Sequence, residues 1–161
     1  MQLVIHGFLD LGIQAEISVE RKPKILIVED DASQRLLYSE ELKEQGCEPI
    51  TARNGKEAMQ ILKKIKPDLI VLDIIMPVMD GMEALGRIIG KHKDIPIILY
   101  SSYPHYRDDF MSWMADAYLT KSSDLTELKE TIRNLLEKKK KGVKLKREGV
   151  GQDENVKRKK T

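Results

Sequence analysis

Between residues 24 and 137 the apolar positions switch five times between two spacings. Strand candidates fall at 24–28, 48–52, 68–73, 95–100 and 117–120, and all but the second are near-continuous apolar runs. Runs of that kind are strands covered on both faces. Between them the spacing becomes helical. Ala58, Ile61, Leu62 and Ile65 recur at i, i+3, i+4 and i+7, and Leu125, Leu128, Ile132, Leu135 and Leu136 mark a similar stripe near the end. Pro49 removes a ladder donor, which puts 48–52 at a sheet edge. Gly46 is placed to stop the first helix, and Asn54 and Asp124 to cap later ones. Met111 and Trp113 read as buried residues of a helix before the last strand. Strand–helix alternation of this kind predicts an α/β domain, a parallel sheet with right-handed crossovers.

The flanks differ from this core. In residues 1–23, Leu3, Ile5, Leu9, Leu11, Ile13, Ile17 and Val19 fit either a short hairpin or an amphipathic segment, loosely attached or packed on the domain. From Lys138 to Thr161 eleven Lys/Arg face three Asp/Glu, giving +8. Residues 1–23 carry −1, so the total of +2 leaves −5 for 24–137. An acidic globule with a basic tail follows, and the tail has too few apolar residues to fold alone. It has no aromatics interleaved for base stacking, so a solvated tail is expected rather than a nucleic-acid site. No apolar run approaches the ~20 residues of a membrane span, and the first ten residues lack the basic start of a signal peptide. Cys47 is the one cysteine, which excludes an internal disulfide and fits a reducing cytoplasm. His6, His92 and His105 have no ligand spacing, so no zinc site is expected.

The chemistry gathers where strands end. Leu69-Ile70-Val71-Leu72 ends in Asp73, and Ile25-Leu26-Ile27-Val28 ends in Glu29-Asp30-Asp31. Should these strands be neighbours, three or four carboxylates meet at the carboxyl edge of the sheet, where open α/β sheets bind ligands. Like charges so close raise one another's pKa unless a cation neutralises them. A hard, oxygen-seeking ion suits such a set, Mg²⁺ above all. The fourth strand ends in Ser101-Ser102 and the fifth in Lys121. A hydroxyl and an ammonium facing carboxylates suit a tetrahedral dianion carried on one acid, and phosphoryl transfer needs little beyond such positioning and charge stabilisation.

Five motifs in order, Ile-Leu-Ile-Val-Glu-Asp-Asp at 25–31, Thr-Ala-Arg-Asn-Gly-Lys-Glu-Ala at 51–58, Leu-Asp-Ile-Ile-Met-Pro-Val-Met-Asp-Gly at 72–81, Pro-Ile-Ile-Leu-Tyr-Ser-Ser at 96–102 and Asp-Ala-Tyr-Leu-Thr-Lys at 116–121, resemble the receiver domains of two-component response regulators. The resemblance covers roughly residues 24–137. It implies a flavodoxin-like, doubly wound sheet of order 2-1-3-4-5 with helices on both faces. It also implies that Asp73 is the phosphoacceptor, and that Glu29, Asp30, Asp73 and the backbone carbonyl of Ile75 hold Mg²⁺. Ser101 corresponds to the switch hydroxyl, Tyr118 to the switch aromatic and Lys121 to the phosphoryl-binding lysine, while Asp31 starts the first helix. Implied partners are a sensor histidine kinase or phosphotransfer protein as donor and a protein effector downstream, since no effector domain is expected in the residues after Glu137.

Two departures stand out. Ser122 replaces the family's proline after the lysine, and Met114 or Ala115 replaces a common glycine. A cis Lys121–Ser122 bond would cost about 2.5–4 kcal/mol without proline, so a trans bond is expected. The expected role is a cytoplasmic phosphoacceptor switch that catalyses its own modification, not a metabolic enzyme. The competing reading is a pseudo-receiver that binds a partner without phosphorylation. A metal-dependent phosphohydrolase would need a second acid two residues after Asp73, where Ile75 stands.

Overall fold

The computed structural model describes residues 4–8, 14–18, 20–108 and 111–142, the first two ranges as backbone alone. Strands β1 (Val4–Phe8) and β2 (Gln14–Ser18) pair antiparallel as a separate hairpin, one of the two forms the sequence allowed. The domain follows as β3 (Lys24–Val28), α1 (Ala32–Glu44), β4 (Glu48–Ala52), α2 (Gly55–Leu62), β5 (Leu69–Leu72), α3 (Gly81–Lys91), β6 (Ile97–Ser101), β7 (Ala117–Thr120) and α4 (Thr126–Lys140). The sheet is parallel, in order β4-β3-β5-β6-β7. Counting its own strands alone, that is the expected 2-1-3-4-5.

Each apolar run divides between two cores because side chains alternate across a strand. Leu26, Val28, Ile70, Leu72, Ile97 and Leu99 face the side covered by α2 and α3. Ile25, Ile27, Leu69, Val71, Ile98 and Tyr100 face α1 and α4. Helix α2 presents Ala58 and Leu62 to the first core, and α4 presents Leu128, Ile132 and Leu135 to the second. Pro49 lies in the edge strand, as its missing donor requires. Asn54 caps α2 by accepting from the Glu57 N–H, and Gly46, at φ 79°, turns the chain after α1. The expected cap of α4 is shifted: its N-cap is Leu125, which makes no side-chain cap, and Asp124 one residue earlier accepts from the Thr126 N–H in a local turn.

Chain order reverses beside β3. The chain leaves β3 for β4 on one side and returns to β5 on the other, which opens a crevice at the carboxyl ends of β3 and β5. Val28 and Leu72 are paired in register. Glu29 and Asp73, each one residue further on, therefore stand side by side.

The connection from β6 to β7 corrects the sequence reading. The expected helix is replaced by two short 3₁₀ turns, Pro104–Asp108 and Ser112–Met114. Trp113 is 68% exposed and donates its indole N–H to the Arg107 carbonyl, and Met111 is only half-buried. Side chains take two carbonyls that a continuing helix would pair with its own N–H groups: the Ser112 hydroxyl donates to the Tyr106 carbonyl and the Trp113 indole to that of Arg107. At the far end, α4 runs three residues past the boundary expected at Glu137. The rest of the basic tail, from residue 143, lies outside the described residues. The segment before β3 is tied down by Arg21, whose guanidinium grips Asp68 with two bonds of 2.8 Å.

Gly81 shows how tightly the loop after β5 is folded. Its N–H donates to the Ile74 carbonyl at 2.7 Å. A Cβ on Gly81 would lie 1.9 Å from the Asp73 carbonyl oxygen, a backbone atom that cannot step aside. Gly81→Ala is therefore expected to destabilise the domain by about 3 kcal/mol. Urea unfolding measures this, and an unchanged midpoint would contradict the close approach.

Candidate functional site

Asp73 leaves β5 in a crevice that buries it to 7% exposure, and Glu29 beside it is 2% exposed. Asp30 points outward, yet one oxygen from each of Glu29, Asp30 and Asp73 falls within 4.8 Å of the others. That set of three carboxylates suits a hard, oxygen-seeking divalent cation. Asp31 stands apart from it, capping α1 by accepting from the Gln34 N–H at 2.8 Å, as expected.

Lys121 enters from the end of β7. Its backbone N–H donates to the Ser101 carbonyl. Its ammonium reaches Glu29 Oε2 at 2.5 Å, Gln34 Oε1 at 2.9 Å and Asp73 Oδ2 at 3.2 Å. Asp73 Oδ1 accepts from the Ile74 N–H at 2.7 Å. Burial raises the Asp73 carboxyl above its usual range, outweighing Lys121 and the Ile74 N–H. Burial raises Glu29 likewise, against its bond to Lys121 and with help from the Asp73 charge. For Lys121 burial acts downward, but the bond to Glu29 and the charge of Asp73 overcome it and hold the ammonium above its usual range.

Ser101 is fully buried at the end of β6, and its Oγ accepts from the Tyr103 N–H at 3.2 Å. Tyr118 donates its hydroxyl to the Tyr103 carbonyl at 2.5 Å, with the Arg107 guanidinium 5.7 Å from its ring. One peptide unit thus lies on either side of Tyr103, one bonded to Ser101 and one to Tyr118. Ile75 and Tyr103 are 43% and 45% exposed. Val78, in the same loop as Ile75, has φ 72°. A β-branched residue there carries about 1–3 kcal/mol of strain. The Lys121–Ser122 bond is trans, as are all the described peptide bonds.

Three residues outside the sequence expectations complete the site. Gln34 meets the Lys121 ammonium. Arg35 donates to the carbonyls of Glu29 and Asp30 at 2.7 and 3.0 Å, fixing the acidic loop to α1. Gly81 makes room for the Asp73 backbone. The available signal for the first two was position: both lie in the opening turn of a helix that begins directly after the acids.

Residues 25–133 match the model of the response regulator receiver domain. The chain belongs to the response-regulator receiver family. A probable transcriptional regulator, ycf27, of Porphyra purpurea is 38% identical over 118 residues, which are 72% of this receiver chain and 48% of that protein. The chain thus spans about half the length of that relative. Among solved structures, the response regulator TrrA of Thermotoga maritima, in complex with Mg²⁺-BeF, superposes with a TM-score of 0.69 at 46% identity, covering 70% of this chain and 98% of that one. The same protein in complex with the histidine kinase ThkA superposes with a TM-score of 0.68, also at 46% identity, covering 71% and 98%. No helix among the described residues of this receiver is long and apolar enough to cross a membrane.

The raised carboxyls give the metal-free receiver a pH signature. Asp73 and Glu29 bind protons more tightly folded than unfolded, so the folded state takes up more protons as pH falls toward their ordinary values of 3.8 and 4.5. Stability rises over that window. Asp68 behaves oppositely. Burial works against its charge, but Arg21 and the Lys24 N–H hold it below 3.8, and their contribution is lost as pH falls further. Thermal melts in chelator should show stability increasing from neutral pH into the upper carboxylate range, then collapsing. Asp73→Asn should melt higher than wild type at pH 7 and show a smaller acid gain. A lower melting temperature for Asp73→Asn at pH 7 would contradict the desolvation reading.

Proposed function

We propose that this receiver accepts a phosphoryl group from a phosphohistidine, on a sensor histidine kinase or a phosphotransfer protein, onto Asp73, and signals through a protein effector. The observation that carries this reading is the Lys121 ammonium set between the buried carboxylates of Glu29 and Asp73 at the switch point of the sheet. An Asp73 oxygen attacks phosphorus, the phosphorus–nitrogen bond breaks, and the leaving imidazole takes up a proton. The chain supplies positioning and charge for this step. Lys121 supplies positive charge to the transferred oxygens, and Ser101 supplies a hydroxyl beside them. Glu29, Asp30, Asp73 and the Ile75 carbonyl would hold Mg²⁺, which when bound offsets the negative charge that gathers there.

Signalling is a shift between two populations. Ser101 moves toward the phosphoryl group and takes the Tyr103 peptide with it. The Tyr118 hydroxyl is bonded to the Tyr103 carbonyl, so the aromatic responds and changes the surface around β7 and α4. The protein is thus a self-modifying switch rather than a metabolic enzyme. A cytoplasmic setting suits it, supported by a buried Cys47 free of any disulfide. A pseudo-receiver has no observation in its favour, whereas the direct contact of the Lys121 ammonium with Glu29 and Asp73 supports a phosphoryl site.

Incubation with acetyl phosphate and Mg²⁺ should add one acid-labile phosphoryl group to the wild type and none to Asp73→Asn, because an amide is not a nucleophile. Intact-protein mass measures both, and full modification of Asp73→Asn at another residue would sink the assignment. The lifetime of the product is a second test. Ile75 and Tyr103 flank the approach of water, and neither is an amide or carboxylate able to orient it, so self-hydrolysis should be slow. Ile75→Asn should speed dephosphorylation by roughly tenfold by positioning that water. An unchanged rate would count against the idea.

A further inference from the structure

The Lys121 ammonium has three protons and meets three acceptors, Glu29 Oε2, Gln34 Oε1 and Asp73 Oδ2. An ammonium donates and never accepts, so the amide oxygen of Gln34, not its nitrogen, must face it. Two of the three acceptors belong to groups that the proposed reaction needs elsewhere. Asp73 is to receive the phosphoryl group, and Glu29 is to face the cation. Gln34 is neutral and is consumed by neither.

Gln34 is itself held firmly. Its backbone N–H is capped by Asp31. Its Oε1 also accepts the Tyr38 hydroxyl at 2.9 Å. Tyr38 is 5% exposed and packs edge-on against Tyr100, ring centres 5.5 Å apart. The Tyr100 hydroxyl in turn accepts a long bond, 3.5 Å, from the Ser122 N–H. A proline at 122 would have no N–H to give. The tyrosine pair therefore reaches both sides of the Lys121–Ser122 bond, the lysine head through Gln34 and the next residue's backbone through Tyr100.

We infer that Gln34 is a positioning residue for phosphoryl transfer, holding the Lys121 ammonium in the crevice when Glu29 and Asp73 are engaged elsewhere. This rests on the receiver reading above. Together with the Tyr100–Ser122 contact, it does here what a fixed proline backbone after the lysine would do, by aiming the side chain rather than the chain.

The test uses the full chain with Mg²⁺ alone, then with acetyl phosphate. In ¹H–¹⁵N spectra with Mg²⁺, wild type should keep a slowly exchanging ammonium signal for Lys121. Gln34→Leu should lose it, Gln34→Glu, which retains an acceptor, should restore it, and Tyr38→Phe should weaken it. With acetyl phosphate, Gln34→Leu should lower the maximal rate of Asp73 modification by roughly tenfold, the scale of one lost hydrogen bond to a charged group, with little change in the donor concentration at half-maximal rate. A merely structural role would move the melting temperature and leave the Lys121 signal in place. An undiminished signal in Gln34→Leu, or a wild-type maximal rate, overturns the inference. Wild type that takes no phosphoryl group on Asp73 fails the receiver reading instead. The ammonium signal needs no phosphodonor, so it still decides the Gln34 contact on its own.

Discussion

Two acids that repel one another share a desolvated crevice with the Lys121 ammonium, and the local structure is arranged to keep all three there. The equal register of β3 and β5 puts Glu29 beside Asp73. The tight loop after β5, closed by Gly81 against the Asp73 carbonyl, keeps the carboxylate at the strand's end. The Arg35 guanidinium holds the Glu29-Asp30 backbone against α1. Burying a charge pair this way adds little to stability, because desolvation offsets the attraction. Its value lies in readiness. A site carrying more negative than positive charge favours a cation, which would in turn offset the charge of an approaching phosphoryl group, and the fold bears the strain of holding it.

Much of this was legible in the sequence because the relevant signals are local. An apolar run of four or five residues ending in an acid specifies both a buried strand and what stands at its edge, as in Leu69–Asp73. Parallel strands bring their carboxyl ends to one side, so the order of motifs was enough to place Glu29, Asp30, Asp73, Ser101 and Lys121 at one edge. Asn54, Gly46 and Pro49 occupy the positions their backbone chemistry demands. Ser122 likewise implied a trans bond, from the cost of the alternative.

What escaped the sequence depends on contacts between distant residues or on the absence of a pattern. Gln34 is an unexceptional polar residue in a first helical turn until β7 delivers Lys121 to it across the sheet. The β6–β7 connection was expected to be helical because alternation called for a helix, whereas side-chain bonds from Ser112 and Trp113 to the Tyr106 and Arg107 carbonyls accompany two 3₁₀ turns and an outward Trp113. The spacing of Leu3, Ile5, Leu9, Leu11, Ile13, Ile17 and Val19 did not separate a hairpin from an amphipathic segment. Cross-strand pairing of β1 with β2 decides between them, and it is invisible to spacing alone.

The most direct test of the charged crevice is the titration of the Asp73 carboxyl itself, followed by the ¹³C shift of its carboxyl carbon with and without Mg²⁺. In the metal-free protein the midpoint should lie above the ordinary 3.8, because burial outweighs the pull of Lys121. Added Mg²⁺ should lower it, as a cation beside the carboxylate favours the ionised form. A metal-free midpoint at or below 3.8, or one that Mg²⁺ leaves unmoved, would contradict a desolvated acid cluster poised for a cation.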